Sequence, residues 1–336
     1  MKNDVHAFYE QVDHARYRGQ VQGHYESFFQ RANHPERPLA FWIRHTIFSP
    51  RGHPERAMGE LWAVFFNGET KRHTAVKKEL PLKECVFDTG RFDVGVGDAR
   101  LTPEGLSGAI QSGPAGISWD LSFRGESVPL LLLPFRLYQT KLPAAKSLVG
   151  LPLARYHGML HVNGEAVEVT DWLGSNNHNW GFRHTDLYAW GQVAGFDSFP
   201  GSFLELATAR LKVGPLWTPA FTPIVLRHGG KEHALNGFLQ VLRAHGSFDY
   251  FTWNFRSETP QVTVEGTITA PREAFVGLTY FNPPGGAKYC LNSKIASCTV
   301  RFRDKANGTT EVLETKNRAA FEILTDDQGH EVPMAV

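Results

Sequence analysis

Cysteine is scarce in this chain: Cys85, Cys290 and Cys298 show no CxxC spacing, and an odd number of thiols cannot close a disulfide framework. That argues for a reducing compartment. Long apolar runs are missing as well. The longest, the eight residues 128–135 (VPLLLLPF), is interrupted by prolines and falls far below the roughly 20 residues a membrane helix needs. The sequence therefore predicts no transmembrane segment, while leaving peripheral membrane contact open. Residues 1–19 carry charges where an export signal needs its apolar stretch, so the expectation is a cytoplasmic protein. Charge of one sign is also lacking, since 35 Lys and Arg against 34 Asp and Glu give no net basic field to attract nucleic acid.

Signatures of cofactor and hydrolytic chemistry are absent in turn. Among 15 histidines there is no HExxH or Cys–His ligand spacing, and His157 and His161 read as hairpin residues, so no metal is expected. There is no GxSxG, and Ser147 and Ser202 have no nucleophile-elbow context. The phrases GRFDVGVGDAR and PPGGAK form neither GxGxxG nor GxxxxGK[ST], which disfavours a nucleotide cofactor, and none is expected.

What is abundant is glycine, proline and aromatic side chains: 32 Gly, 20 Pro and 12% Phe, Trp and Tyr favour short strands joined by tight turns. A length of 336 residues suggests two domains. Residues 4–17 space Val5, Phe8, Tyr9, Val12 and Ala15 for a short N-terminal helix. Thereafter aromatic and β-branched runs alternate with polar breaks such as NHPERP and RGHPERA, the rhythm of an antiparallel meander. Asn163-Gly164 between two alternating runs predicts a hairpin. The first half supplies about eight strands, the number that closes a small barrel. A second strand series follows a loop at 173–181 (LGSNNHNWG), giving units 1–175 and 176–336. SWDLSFRGES (118–127) and FTWNFRSETP (251–260) hint that one β unit has been duplicated.

The stretch 171–197 (DWLGSNNHNWGFRHTDLYAWGQVAGFD) is richest in candidate chemistry. Read as a strand from His184, it sets His184, Asp186, Tyr188, Trp190 and Gln192 on one face and Thr185, Leu187, Ala189, Gly191 and Val193 on the other. The polar-aromatic face either meets solvent or, with the apolar face packed outward, lines a barrel lumen that binds a ligand. The NNHNWG segment before it is either a self-satisfied turn or a cap in which His178 and Trp180 close that cavity, with Asp171 or Asp186 setting the imidazole's protonation. Two earlier strands carry YESFF and FWIRH. Trp42 and Arg44 are further candidate ligand contacts, and Glu26 and Arg44 are placed to pair across the two strands.

YESFF, FWIRHTIF, GELWAVFF and NHNWGFRHTDLYAWGQVAGFD together resemble the lipocalin-like superfamily of hydroxyneurosporene synthase (carotenoid 1,2-hydratase), tocopherol cyclase and lipocalin-like Diels-Alderases, over about residues 20–330. The resemblance implies an all-β protein of two lipocalin-like antiparallel barrels side by side. It also implies a long or polycyclic hydrophobic small molecule as ligand, and hydration, cyclisation or isomerisation at a double bond without metal or cofactor. Asn177 stands where hydratase-like members carry Asp, so the acid must be sought in Asp186, Asp171 or Glu205, with His178 in support. A carboxyl in an apolar barrel stays protonated, and Trp180, Trp190 and Tyr188 are suited to stabilise a carbocation. Asp186 is expected to matter most, and Trp180 and Trp190 to border an apolar cavity. A non-catalytic lipid or isoprenoid carrier, or an interaction protein with two filled barrels, would use the same fold. Oligomeric state is not set by the sequence.

Overall fold

A computed structural model describes residues 2–336, with side chains from Asp4 onward. Strand accounts for 59% of residues and helix for 8%, as the composition predicts. A helix α1 (Lys2–Tyr9) opens the chain. It is shorter than the 4–17 expected, because residues beyond Tyr9 leave the helix to pack on the first barrel, Ala15 entering its core.

Sixteen principal strands follow, eight in each of two antiparallel sheets. In the first they are β1 (His24–Asn33), β2 (Leu39–Ser49), β3 (Met58–Asn67), β4 (Thr74–Pro81), β5 (Gly105–Ser112), β6 (Ala115–Arg124), β7 (Ala145–Val162) and β8 (Glu165–Gly181). In the second they are β9 (Leu187–Ala194), β10 (Phe203–Arg210), β11 (Ile224–His228), β12 (Lys231–Leu235), β13 (Thr252–Glu258), β14 (Val262–Thr269), β15 (Ala287–Asp304) and β16 (Thr310–Thr325). Spatial order is β4-β3-β2-β1-β8-β7-β6-β5 in one and β12-β11-β10-β9-β16-β15-β14-β13 in the other. The same path is thus traced twice, and in the first sheet β4 comes round to β5 and β6 in a nearly closed barrel. The repeated Trp phrases do not mark equivalent strands: one lies on β6, the other on β13, which matches β5 in position.

Local sequence explains the elements. Asn163 and Gly164 both have positive φ, the conformation a two-residue hairpin turn requires, and join β7 to β8. Strand β6 alternates: Ile117, Trp119, Leu121 and Phe123 are buried, and Asp120, Ser122 and Arg124 face water. Every residue of β1, by contrast, is buried. Its register shows why: one face, with Phe28 and Ala32, fills the first barrel, and the other, with Phe29, meets the second.

The stretch expected to be a loop at 173–181 is the last part of β8, paired with β1 from Asn33↔Leu173 to Tyr25↔Gly181. Its asparagines signal a turn, but Asn176 and Asn177 spend their amides on Gln30, Ser175, Gln192 and the Phe29 carbonyl, so tertiary partners override the local preference. Residue 175 therefore lies within β8, and the chain passes between sheets at residues 182–186.

A second correction concerns β9. Its small apolar face, Ala189, Gly191 and Val193, points into the second barrel, not outward, against Trp253, Ile268 and Phe321. A Cβ at Gly191 would sit 2.6 Å from Ile268 and 2.9 Å from Trp253, so only glycine admits that packing. The polar-aromatic face looks toward the first barrel. Both lumens are filled with side chains, Phe28, Phe41, Leu61 and Trp119 in one and Trp253, Phe255 and Ile268 in the other. The polar chemistry is displaced into the seam between them.

Candidate active site

The seam is floored by β9, β10, β15 and β16 and roofed by β1, β2, β3 and β8. Its centre is Glu205, paired across β10 and β9 with Gln192 and 1% exposed. Trp190 Nε1 donates to Glu205 Oε1 at 2.8 Å, and Gln192 Nε2 donates to Glu205 Oε2 at 2.8 Å and to Asn177 Oδ1 at 2.7 Å. Ser175 Oγ donates to Gln192 Oε1 at 2.6 Å. Burial disfavours the carboxylate, and the donors Trp190 and Gln192 and the charge of Arg31 offset only part of that, so the Glu205 pKa is pushed up to about 8. At neutral pH it is a carboxylic acid.

Aromatic rings and cations surround this acid. Phe29 meets Trp190 edge-on with centroids 6.0 Å apart. Lys294 Nζ lies 5.5 Å from the Trp190 ring and 5.7 Å from the Trp42 ring, and bonds Glu322 Oε1 at 2.6 Å. The Arg44 guanidinium stands 4.5 Å over Tyr280 and donates to Ser27 Oγ at 2.6 Å. Buried Arg31 donates to the carbonyl oxygens of Gln192 and Arg318 and to Asn33 Oδ1.

Of the residues proposed from sequence, the seam collects Trp42, Arg44, Tyr188, Trp190, Gln192 and Glu205. His184 sits at its edge, its ring stacked 4.0 Å from that of Tyr25, and burial lowers its pKa to about 3. His178 and Trp180 lie on the opposite face of β8. There His178 Nε2 bonds Glu26 Oε1 at 2.8 Å and its Nδ1 lies 2.5 Å from the Val12 carbonyl, while Arg16 covers Trp180 at 4.1 Å. Glu26 also accepts from His24 and from the Arg16 and Tyr17 amides. Burial alone would raise its pKa, but the hydrogen bonds and charges of His178 and His24 bring it down to about 2. Glu26 cannot pair with Arg44, because the two point to opposite faces of the sheet.

Asp186 and Asp171 lie elsewhere. Strand β9 begins at Leu187, so Asp186 precedes the alternation that was to bury it. Burial pulls its pKa up, yet the Lys212 amide, the Arg183 guanidinium and the charge of Lys288 outweigh this and hold it below its ordinary value. Both its oxygens lie 2.6 Å from an Arg183 nitrogen, so the raised pKa expected of it is not found. Asp171 is exposed at positive φ and pairs with His157 at 3.2 Å. Sequence reasoning passed over Arg31, Lys294, Glu322 and Tyr280. The available signal was a charged side chain inside an aromatic or aliphatic run, as in FFQRAN, NSKIAS and AFEIL.

A cavity of about 980 Å³ opens at one end of the first barrel, lined by residues including Arg37, Phe65, Arg72, Glu165 and Trp172. It touches none of the seam residues. We place the candidate site in the seam, where the buried acid is, and not in this cavity.

No protein-family model and no curated protein sequence matches the chain. Solved structures do. A protein provisionally assigned as AttH from Nitrosomonas europaea superposes with TM-score 0.56 at 12% identity, covering 90% of this chain and 91% of its own. Kievitone hydratase from Nectria haematococca gives 0.55 at 11%, covering 92% and 93%. CghA in complex with Sch210972 gives 0.53 at 10%, covering 90% and 89%. The chain therefore shares its fold with these structures over nearly its whole length, the fold that the sequence resemblance implied.

Proposed function

We propose that this protein is a cofactor-independent enzyme acting on a double bond of an apolar alkene, terpenoid or polycyclic substrate held between the barrels, with Glu205 as the acid. The observation that carries this reading is a carboxyl group buried in the seam and accepting from an indole at 2.8 Å, with burial pushing its pKa up to about 8. Glu205 transfers its proton to one alkene carbon; the π pair forms the new C–H bond and the adjacent carbon becomes cationic. The faces of Trp190 and Tyr188 lower the energy of that cation, and the Trp190 and Gln192 N–H groups stabilise the carboxylate left behind. Attack by water followed by proton return to Glu205 completes a hydration. Attack by a second double bond closes a ring and moves the cation to the far carbon of that bond, where proton loss to Glu205 discharges it; loss of a proton next to the first cation to Glu205 gives an isomer instead. Kievitone hydratase, which shares the fold, is named for the first of these outcomes.

The test is incubation of linear isoprenoids, prenylated phenols and polyenes in D₂O, with mass spectrometry of what is recovered. Deuterium incorporation by the wild-type protein, reduced at least about a hundredfold in Glu205→Gln, is the expected result for a general acid. Equal incorporation by the two proteins overturns the assignment. A co-purifying apolar molecule that never exchanges deuterium points instead to a carrier.

A further inference from the structure

Two of the seam's buried guanidinium groups have no carboxylate hydrogen-bonded to them, although the charges of Glu60 and Glu322 reach Arg44 and those of ionised Glu205 and of Glu322 reach Arg31. Lys294 is paired with Glu322. Arg31 and Arg44 are not so provided: their hydrogen-bond partners are neutral, two backbone carbonyls and the Gln192 and Asn33 side chains for Arg31, and the Ser27 hydroxyl for Arg44. Three donors there have no acceptor at all, namely Arg31 Nε, Arg44 Nε and Trp42 Nε1, on side chains 0%, 5% and 1% exposed. They belong to one patch. Trp42 and Arg44 stand two residues apart on the same face of β2, Trp42 is opposite Arg31 in register, and the Arg44 guanidinium is 5.8 Å from the Trp42 ring. Buried donors are almost always satisfied, and a guanidinium out of water requires a counter-charge. The walls around them, Phe29 and Trp190, are aromatic.

We infer that the seam is an anion-recognition site, in which Arg44 and Trp42, backed by the charge of Arg31, receive a carboxylate or enolate oxygen of an otherwise apolar ligand. This rests on the seam being the binding site, as the functional reading has it, and adds the substrate class: an apolar acid, not a neutral hydrocarbon. An anionic oxygen with several lone pairs accepts from the free Arg44 Nε and Trp42 Nε1 donors more strongly than a ketone or alcohol oxygen does, because both the donor and the acceptor are then charged at Arg44.

Equilibrium binding in the Glu205→Gln background separates this inference from the catalytic one, because no turnover is needed. The probes are matched pairs: retinoate and retinol, decanoate and decanol, 2-naphthoate and its methyl ester. They are followed by tryptophan quenching for the retinoids and by calorimetry for the others. At least one acid is expected to bind ten-fold or more tighter than its neutral partner. Trp42→Phe, which removes the indole donor and keeps an aromatic ring, and Arg44→Gln are each expected to reduce that preference, the ratio of acid to neutral affinity, at least threefold. Should Arg44→Gln fail to fold by circular dichroism, Arg44→Lys, which keeps the charge but loses the Nε donor, replaces it. Absence of acid preference in all three pairs, a preference that survives both substitutions, or equal loss for acid and neutral ligand overturns the inference. Intact acid preference without deuterium exchange would sink the catalytic reading alone.

Discussion

Three carboxyl groups, Glu205, Glu26 and Asp186, start from nearly the same chemistry and reach different protonation states through their surroundings. Glu205 is buried with two neutral donors and is raised to about 8, whereas Glu26 is buried between two histidines and is brought down to about 2. Asp186, in the crossover outside the seam, keeps an arginine partner and stays ionised. Because the folded pKa of Glu205 exceeds its ordinary 4.5, its contribution to stability is full below about pH 4.5 and is lost as pH rises through about 8. Glu205→Gln removes the titrating group and keeps the shape. Urea unfolding is expected to show the variant more stable than wild type at pH 8.5, on the order of 2–4 kcal/mol, with the difference shrinking toward pH 4.5. Parallel stability curves for the two proteins would show that Glu205 is not held protonated. Asp186→Asn, by contrast, is expected to leave deuterium exchange within a few-fold of wild type. A hundredfold loss there would return the acid to Asp186.

At the scale of elements, legibility followed the number of covered faces. Strand β6, wet on one side, alternates cleanly and reads directly from sequence. Strands β1 and β2, covered on both sides, carry polar and apolar residues in no simple period, so their existence was legible but the assignment of each face was not. The asparagine-rich end of β8 read as a loop because its side-chain partners, Gln30 on β1 and Gln192 on β9, sit on other strands, which the local sequence does not reveal. The segment 10–23 shows the same dependence. It has no strand partner and is tied to the first barrel by the Arg16 and Tyr17 amides on Glu26 and by the Val12 carbonyl on His178. The folded pKa of Glu26 lies below its ordinary 4.5, so its stabilisation is complete above about pH 4.5 and is lost as pH falls through about 2. Hydrogen exchange at the Arg16 and Tyr17 amides is therefore expected to quicken in Glu26→Gln at pH 7, roughly ten-fold for each 1.4 kcal/mol lost. Unchanged exchange at those two amides would mean that other contacts hold the segment.

For the whole molecule, the decisive feature is that the residues of the candidate site sit between the two sheets, outside both lumens, where the sheets bury them against each other. Six of the side chains proposed from sequence meet in the seam, and three of them, Tyr188, Trp190 and Gln192, were expected to face either a lumen or solvent, since a single strand's alternation reveals that two faces differ but not which one a second sheet will cover. The same fact makes the halves interdependent. From the first sheet, Phe29, Trp42, Trp62, Val64 and Phe66 belong to the hydrophobic cluster of the second. Exposing one such side chain costs about 1.5–3 kcal/mol, so uncovering five approaches the whole stability of an ordinary domain. The exposed patch would also carry Arg31 and Arg44 without their seam neighbours. Residues 1–184 and 185–336, divided in the crossover between sheets, are accordingly expected to be aggregated or molten when produced separately, and to give a soluble one-to-one complex when produced together. Size-exclusion chromatography with light scattering and near-ultraviolet circular dichroism would read this out. If either half alone were a monomer with a cooperative unfolding transition, the seam would be an interface between independent domains and not a shared core. The two barrels would then be free to part, and the buried acid and its cationic neighbours would open to water each time they did.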